Sequence, residues 1–215
     1  MELSQYKKAW ENQPEIKNKL SGLEIYKLTQ SKSTSIVKWI LIIGIAEFAF
    51  WFLINFTASK FGAMEPYEKL DLVWFLNYSN YFHYVVVFLF LALFYRNYSS
   101  INIVDNTKTL MVKILRTRKT VKWYVYYNLI SVVVMTIILN IILLNTPNAL
   151  RVIYNLDPNL NLSDGQFFTI VIISQVIMLF IMLAFLIGLY YLLYGILLKK
   201  LNKNYKELSK LDEVT

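Results

Sequence analysis

Four long apolar blocks, separated by shorter polar and mostly basic segments, set the pattern of this chain. They run from Ser35 to Phe56, from Tyr81 to Tyr95, from Trp123 to Leu144 and from Phe167 to Leu198. Lys38 and Glu47 are the only charges in the first block. The fourth holds 32 residues with no formal charge, about 48 Å of helix at 1.5 Å per residue. A hydrocarbon core is only about 30 Å thick, so this helix must tilt or extend beyond it. Blocks of this kind predict membrane-spanning helices, because a helix satisfies its own backbone polar groups in lipid. The expected fold is an all-α integral membrane four-helix bundle whose helices extend into the cytoplasm. Residues 1–33 would form a helical N-terminal segment, 34–198 the transmembrane domain and 199–215 a helical tail.

The polar segments carry their own helical patterns. The first predicted helix, around Ser4 to Asn12, places Tyr6 and Trp10 four residues apart and ends before Pro14. Ser21 and Glu24 have the S-x-x-E spacing of a capping box, opening a second helix with Leu23 and Tyr26 on one face that runs into the first span. Nothing breaks a helix between Asn106 and Tyr127, so the third span is expected to project inward by about four turns. There Leu110, Ile114, Thr117 and Val121 share a face, amid Lys108, Lys113, Arg116, Arg118, Lys119 and Lys122. The tail continues the fourth helix with Leu201, Tyr205 and Leu208 in one stripe. The three projections are expected to pack together. On the other side, residues 58–80 suggest a short interfacial helix over Leu70 to Leu76, and Pro147, Pro158 and the Asp-Gly at Asp164 mark residues 145–166 as a loop.

Composition sharpens this picture. Of 215 residues, 57% are hydrophobic and 17% charged, too few charges to cover a water-facing surface. The net charge of +8 matters less than its placement. Lysine and arginine number seven in residues 1–38, seven in 96–122 and five in 199–210, against Lys60, Lys69 and Arg151 in the other two connections. Nineteen against three alternates across an even number of spans and places both termini inside. Trp39, Tyr95, Tyr124, Tyr126 and Tyr127 would mark the inner belt, and Trp51, Trp74, Tyr81 and Phe167 the outer one. Residues 1–35 lack the apolar core of a secretory signal, so no cleavage is expected.

Chemistry is sparse. The absence of cysteine rules out disulfides and thiolate metal sites, and one histidine, His83, cannot build a metal centre. His83 is expected as an interfacial side chain at the outer start of the second span. Glu47 is the only acid in any span. An ionisable side chain at that depth costs at least about 2.5 kcal/mol on insertion scales, so it needs a partner. Gln175 lies at a comparable depth, with Ser174, Asn140 and Ser131 as further candidates. Glu47 is then either a relay or sensing carboxylate, or a protonated acid hydrogen-bonded across the bundle. The Ala184/Gly188 pair, with Gly195 a heptad on, suggests internal packing or a homodimer. No phosphate loop, nucleophile elbow or H-E-x-x-H is present, and no cofactor or enzymatic activity is expected. The inward cations are spaced for a helix–membrane boundary rather than a stacking platform, so no direct nucleic-acid contact is expected.

Three groups of strings carry a family resemblance: Glu24-Ile25-Tyr26 with Ser31 to Ile40; Thr117 to Leu129; and Tyr194 to Leu201 with Asn204 to Leu208. They resemble a membrane protein family of flavobacteria and related Bacteroidota. Its members are often labelled carotenoid oxygenases, enzymes that hold iron with four histidines on a β-propeller, which this composition contradicts. Members of the family are encoded beside extracytoplasmic-function sigma factors, so the resemblance implies a membrane-bound anti-sigma factor. The H-x3-C-x2-C ligands of the zinc-containing kind are missing.

The sequence thus leads to a membrane-anchored regulator of the bacterial inner membrane that sequesters a cytoplasmic protein. Trp10, Leu23 and Tyr26 are the expected contact residues. Arg116, Arg118 and Lys119 are expected to supply complementarity to an acidic partner, with anionic lipids as the other recipients of inward cations. The competing expectation is a structural or pore-forming accessory subunit in which Glu47 and Gln175 face an interface or a wet path.

Overall fold

A computed structural model describes residues 22–102, 105–146, 149–155 and 164–213. The expected helix around Ser4 to Asn12, with Trp10, lies outside these residues. Helix α1 runs Gly22–Lys60, α2 Glu65–Glu68, α3 Val73–Ser99, α4 Thr107–Asn145, α5 Ala149–Ile153 and α6 Asp164–Tyr190. A π turn, Tyr191–Gly195, joins α6 directly to α7, Ile196–Asp212. The described residues are all helix, turn and loop. The four long rods (α1, α3, α4 and α6 with α7) are each long and apolar enough to cross a membrane.

At 39 residues each, α1 and α4 are about 58 Å long, roughly 28 Å more than a hydrocarbon core requires. The surplus lies at the basic end of the molecule. There α7 packs against both α1 and α4. The buried positions of α1 are Thr29, Gln30, Ser33, Val37, Ile40, Gly44 and Glu47. Those of α4 include Leu110, Ile114, Thr117, Val121, Tyr124 and Asn128. From Gln30 and from Leu110 onward the two series advance in steps of three and four, the 3.5-residue period of left-handed helix packing. Leu201, Asn204 and Leu208 of α7 complete the core. All four residues of the stripe from Leu110 to Val121 are therefore buried within the chain itself, and their apolar face is closed to lipid or to a partner helix. Lys108, Arg116, Lys119 and Lys122 of that helix stay exposed around its rim.

Polar side chains fix the register of this bundle. Asn204 Nδ2 donates to Ser33 Oγ at 2.9 Å, and Asn97 Nδ2 donates to Thr120 Oγ1 at 3.1 Å. The α3–α4 connection is clamped from several sides. Lys113 Nζ donates to both carboxylate oxygens of Asp105, at 2.6 and 2.7 Å, and also to the Ser100 carbonyl. The Asn102 backbone N–H donates to the same carboxylate. From α1, Gln30 donates to the Asn102 carbonyl and Tyr26 to the Asp105 carbonyl. At the start of α4, Asn106 is the N-cap, its Oδ1 accepting from the Thr109 N–H at 2.8 Å; this satisfies one of the orphan donors of the first turn.

The opposite end differs from the sequence expectation in two places. Leu70 to Leu76 is not a separate interfacial helix: Val73 opens α3, so the second rod begins eight residues before Tyr81. Residues 145–166, expected as a loop, contain the short helix α5, and the Asp-Gly at Asp164 starts α6. Leu72, Leu143 and Ala149 form a small second core that brings the two connections together. The turn after α1 needs Gly62, whose φ is +76° and whose added Cβ would lie 2.7 Å from Glu65 Oε1.

Candidate functional site

Glu47 is held by the fourth rod. The Tyr190 hydroxyl donates to Glu47 Oε1 and the Tyr194 hydroxyl to Oε2, each at 2.8 Å. Glu47 is only 7% exposed, and Tyr124, Tyr190 and Tyr194 are all buried. Tyr124 packs edge-on against both tyrosines and against Phe94. Opposite, Gly44 lets α1 and α3 meet: a Cβ there would come within 3.0 Å of Leu91 and 3.2 Å of Phe94. Such contacts are how small residues bring apolar helices together.

The two tyrosines bracket the π turn. Buried Leu186, Tyr190 and Tyr194 are spaced by two successive steps of four, which would drift around a regular 3.6-residue helix. The extra residue accommodated by a π turn keeps Tyr194 on the face of Tyr190. Gly195 closes the turn, where a Cβ would fall 2.9 Å from the Tyr191 ring.

Beside this lock, on the side away from the basic end, lies a cavity of about 690 Å³. Trp51 and Asn55 of α1, His83 of α3, Asn128 and Ser131 of α4, and Tyr190 of α6 all reach it. Tyr190 thus belongs to both the lock and the cavity wall. His83 Nδ1 lies 3.2 Å from the Tyr127 hydroxyl, and the two rings stack with centroids 5.6 Å apart.

These positions correct several expectations. Glu47 is partnered by tyrosines and not by Gln175, Ser174, Asn140 or Ser131. Gln175 donates to the Tyr154 hydroxyl at 3.2 Å, 15 residues along the rod from Tyr190. His83 lies about three turns inside α3 rather than at its start. Tyr124 and Tyr127 point into the bundle instead of marking a belt. Gly188 has nothing within 4 Å of an added Cβ, which removes internal packing as the role of the Ala184/Gly188 pair. Among the expected partner contacts, Leu23 is 65% exposed, and Arg116 and Lys119 are exposed too. Arg118 is half-buried. The Tyr26 hydroxyl is already engaged by the Asp105 carbonyl. Trp10 lies outside the described residues. Among those residues, no group of three or more His, Asp or Glu side chains is placed to hold a metal ion.

Fold and site together define an all-α protein with four membrane-length rods, an enclosed acid held by two tyrosines, and a side cavity. Residues 23–213 match the family model described as a domain of unknown function, DUF8845. The chain belongs to that family. Neither a curated protein nor a solved structure matches it.

Proposed function

We propose that this is a membrane-anchored regulator of the inner membrane, with its basic end in the cytoplasm serving as the docking face for a cytoplasmic protein. The observation that carries this reading is the surplus helix at that end. Three rods continue well beyond membrane thickness to build one shared bundle, around which Arg116 and Lys119 stay exposed. The bias of nineteen cations against three supports the orientation. Because the stripe from Leu110 to Val121 is used internally, docking falls to the charged rim, to exposed Leu23 and to residues 1–21, with Trp10 as the aromatic anchor. A sigma factor of the extracytoplasmic-function type is the partner that the family resemblance implies.

The test is co-purification, after detergent extraction, of such a sigma factor expressed together with the intact chain or with a chain lacking residues 1–21. The cut stops at residue 21, because Thr29 and Gln30 are buried in the bundle. Co-elution with the intact chain is expected, with at least a tenfold loss on truncation. A further loss is expected for Arg116→Glu combined with Lys119→Glu. A sigma factor that elutes free of the intact chain would overturn the proposal.

A further inference from the structure

The side cavity has no part in the docking just proposed, and its chemistry points to a ligand of its own. We infer that it binds an uncharged, lipid-soluble molecule with a hydrogen-bonding ring at one end of a hydrocarbon tail. Four observations define this class.

First, the cavity's size of about 690 Å³ falls within the roughly 300–1,000 Å³ of small-molecule sites. Second, none of its lining residues is an aspartate, glutamate, lysine or arginine, so a charged ligand would enter without a counter-ion, at a large desolvation cost. Third, its mouth lies where Tyr78 and Phe82 are 70% and 67% exposed. Both residues lie on α3, a rod long and apolar enough to cross a membrane, which gives a lipid-soluble molecule a route in from the bilayer. Fourth, the walls combine aromatic faces with a few hydrogen-bonding groups, which favours a ring carrying carbonyl or hydroxyl substituents. Trp51 and Phe75 offer the faces. His83, Ser131 and Asn128 supply polar groups to the wall that Tyr190 also lines. Because Tyr127 occupies His83 Nδ1, Nε2 is the ring nitrogen left to meet a ligand.

Polar side chains in a membrane helix are costly when they face lipid. In α3 the run Asn77 to Asn80 precedes His83, and Ser79, Asn80 and His83 all line the cavity. A binding role explains why these residues interrupt the apolar rod at that depth.

The test uses the full chain in phosphatidylcholine nanodiscs, with decylubiquinone as the probe: an uncharged quinone ring on a ten-carbon tail. Thermal unfolding is followed against probe concentration, with n-decanol as a tail-only control. Wild type is expected to show a saturable stabilisation that decanol does not reproduce. His83→Phe keeps the stack on Tyr127 but removes the ring nitrogens, and is expected to weaken apparent affinity about tenfold, the worth of one good hydrogen bond. Ser131→Phe fills the space and is expected to abolish the shift. Size-exclusion profiles and helical circular dichroism identify variants that retain the fold, and His83→Phe alone decides the matter if Ser131→Phe does not. No saturable shift in wild type, an equal shift with decanol, or unchanged affinity in a folded His83→Phe protein would each overturn the inference. None of these outcomes bears on sigma-factor co-purification.

Discussion

Glu47 is where the chemistry of single residues is most concentrated. A carboxyl group buried in an apolar bundle is tolerated only when its oxygens are met, and Tyr190 and Tyr194 meet one each. Interhelical hydrogen bonds in membrane proteins average about 0.6 kcal/mol and reach about 1.7. Tyr194→Phe is therefore expected to cost about 1 kcal/mol. Glu47→Leu orphans both hydroxyls at once and should cost about 2–3 kcal/mol, whereas Glu47→Gln keeps an acceptor oxygen and should fall between wild type and Glu47→Leu. Thermal unfolding in detergent gives the order, and a Glu47→Leu protein as stable as wild type would contradict it. Glu47 was legible because an acid stands out in an apolar block. Its partners were not, since tyrosines within a 32-residue apolar run carry the same hydropathy signal whether they face lipid or a carboxyl group. The available clue was spacing: two tyrosines four residues apart, followed at once by Gly195.

At the level of elements, the four rods and the basic-end bundle were largely legible. Leu110, Ile114, Thr117 and Val121 could be placed on one face because the rest of that segment is charged. The matching face of α1 was harder to see, because Thr29, Gln30 and Ser33 are small or polar and pack by hydrogen bonding. The early start of α3 was hidden for a related reason. Asn77 to Asn80 lower the local hydropathy, although Ser79 and Asn80 line the cavity. Lys113 was counted with the rim cations, but it is committed to Asp105. Burial alone would push the Asp105 carboxyl up, but the Lys113 ammonium and the Asn102 N–H hold it below its ordinary value of 3.8. A depressed carboxylate stabilises the fold above its unfolded value, and that contribution is lost as pH falls through the folded one. Asp105→Asn should accordingly cost about 1.5–3 kcal/mol at neutral pH. The gap from wild type should stay level between pH 7 and about 5 and narrow only as pH drops through about 4 and below. Leu201→Ala, at a position sealed between α1 and α4, should cost about 2–5 kcal/mol and raise amide exchange in Thr107 to Val121 more than in the apolar rods.

Across the whole molecule, the cavity, the lock and the bundle follow one another along the same rods. Tyr190 lines the cavity and binds Glu47, and the π turn beginning at the next residue leads into α7, which builds the bundle. Among the described residues, this turn is the only departure from α-helix within the four rods. A molecule pressing on Tyr190 would therefore act on the rod at its least regular point, one turn above the bundle. Which compartment receives that displacement depends on orientation, and the cysteine-free sequence makes orientation directly measurable. Phe61, 85% exposed just beyond the end of α1, belongs to the cation-poor end. Lys119, exposed on α4, belongs to the basic end. With single cysteines in otherwise unchanged chains, a membrane-impermeant maleimide added to intact spheroplasts should label Phe61→Cys. Lys119→Cys should react only after permeabilisation. The reverse pattern would turn the basic bundle outward and remove the cytoplasmic partner, while leaving the tyrosine lock and the cavity as they are.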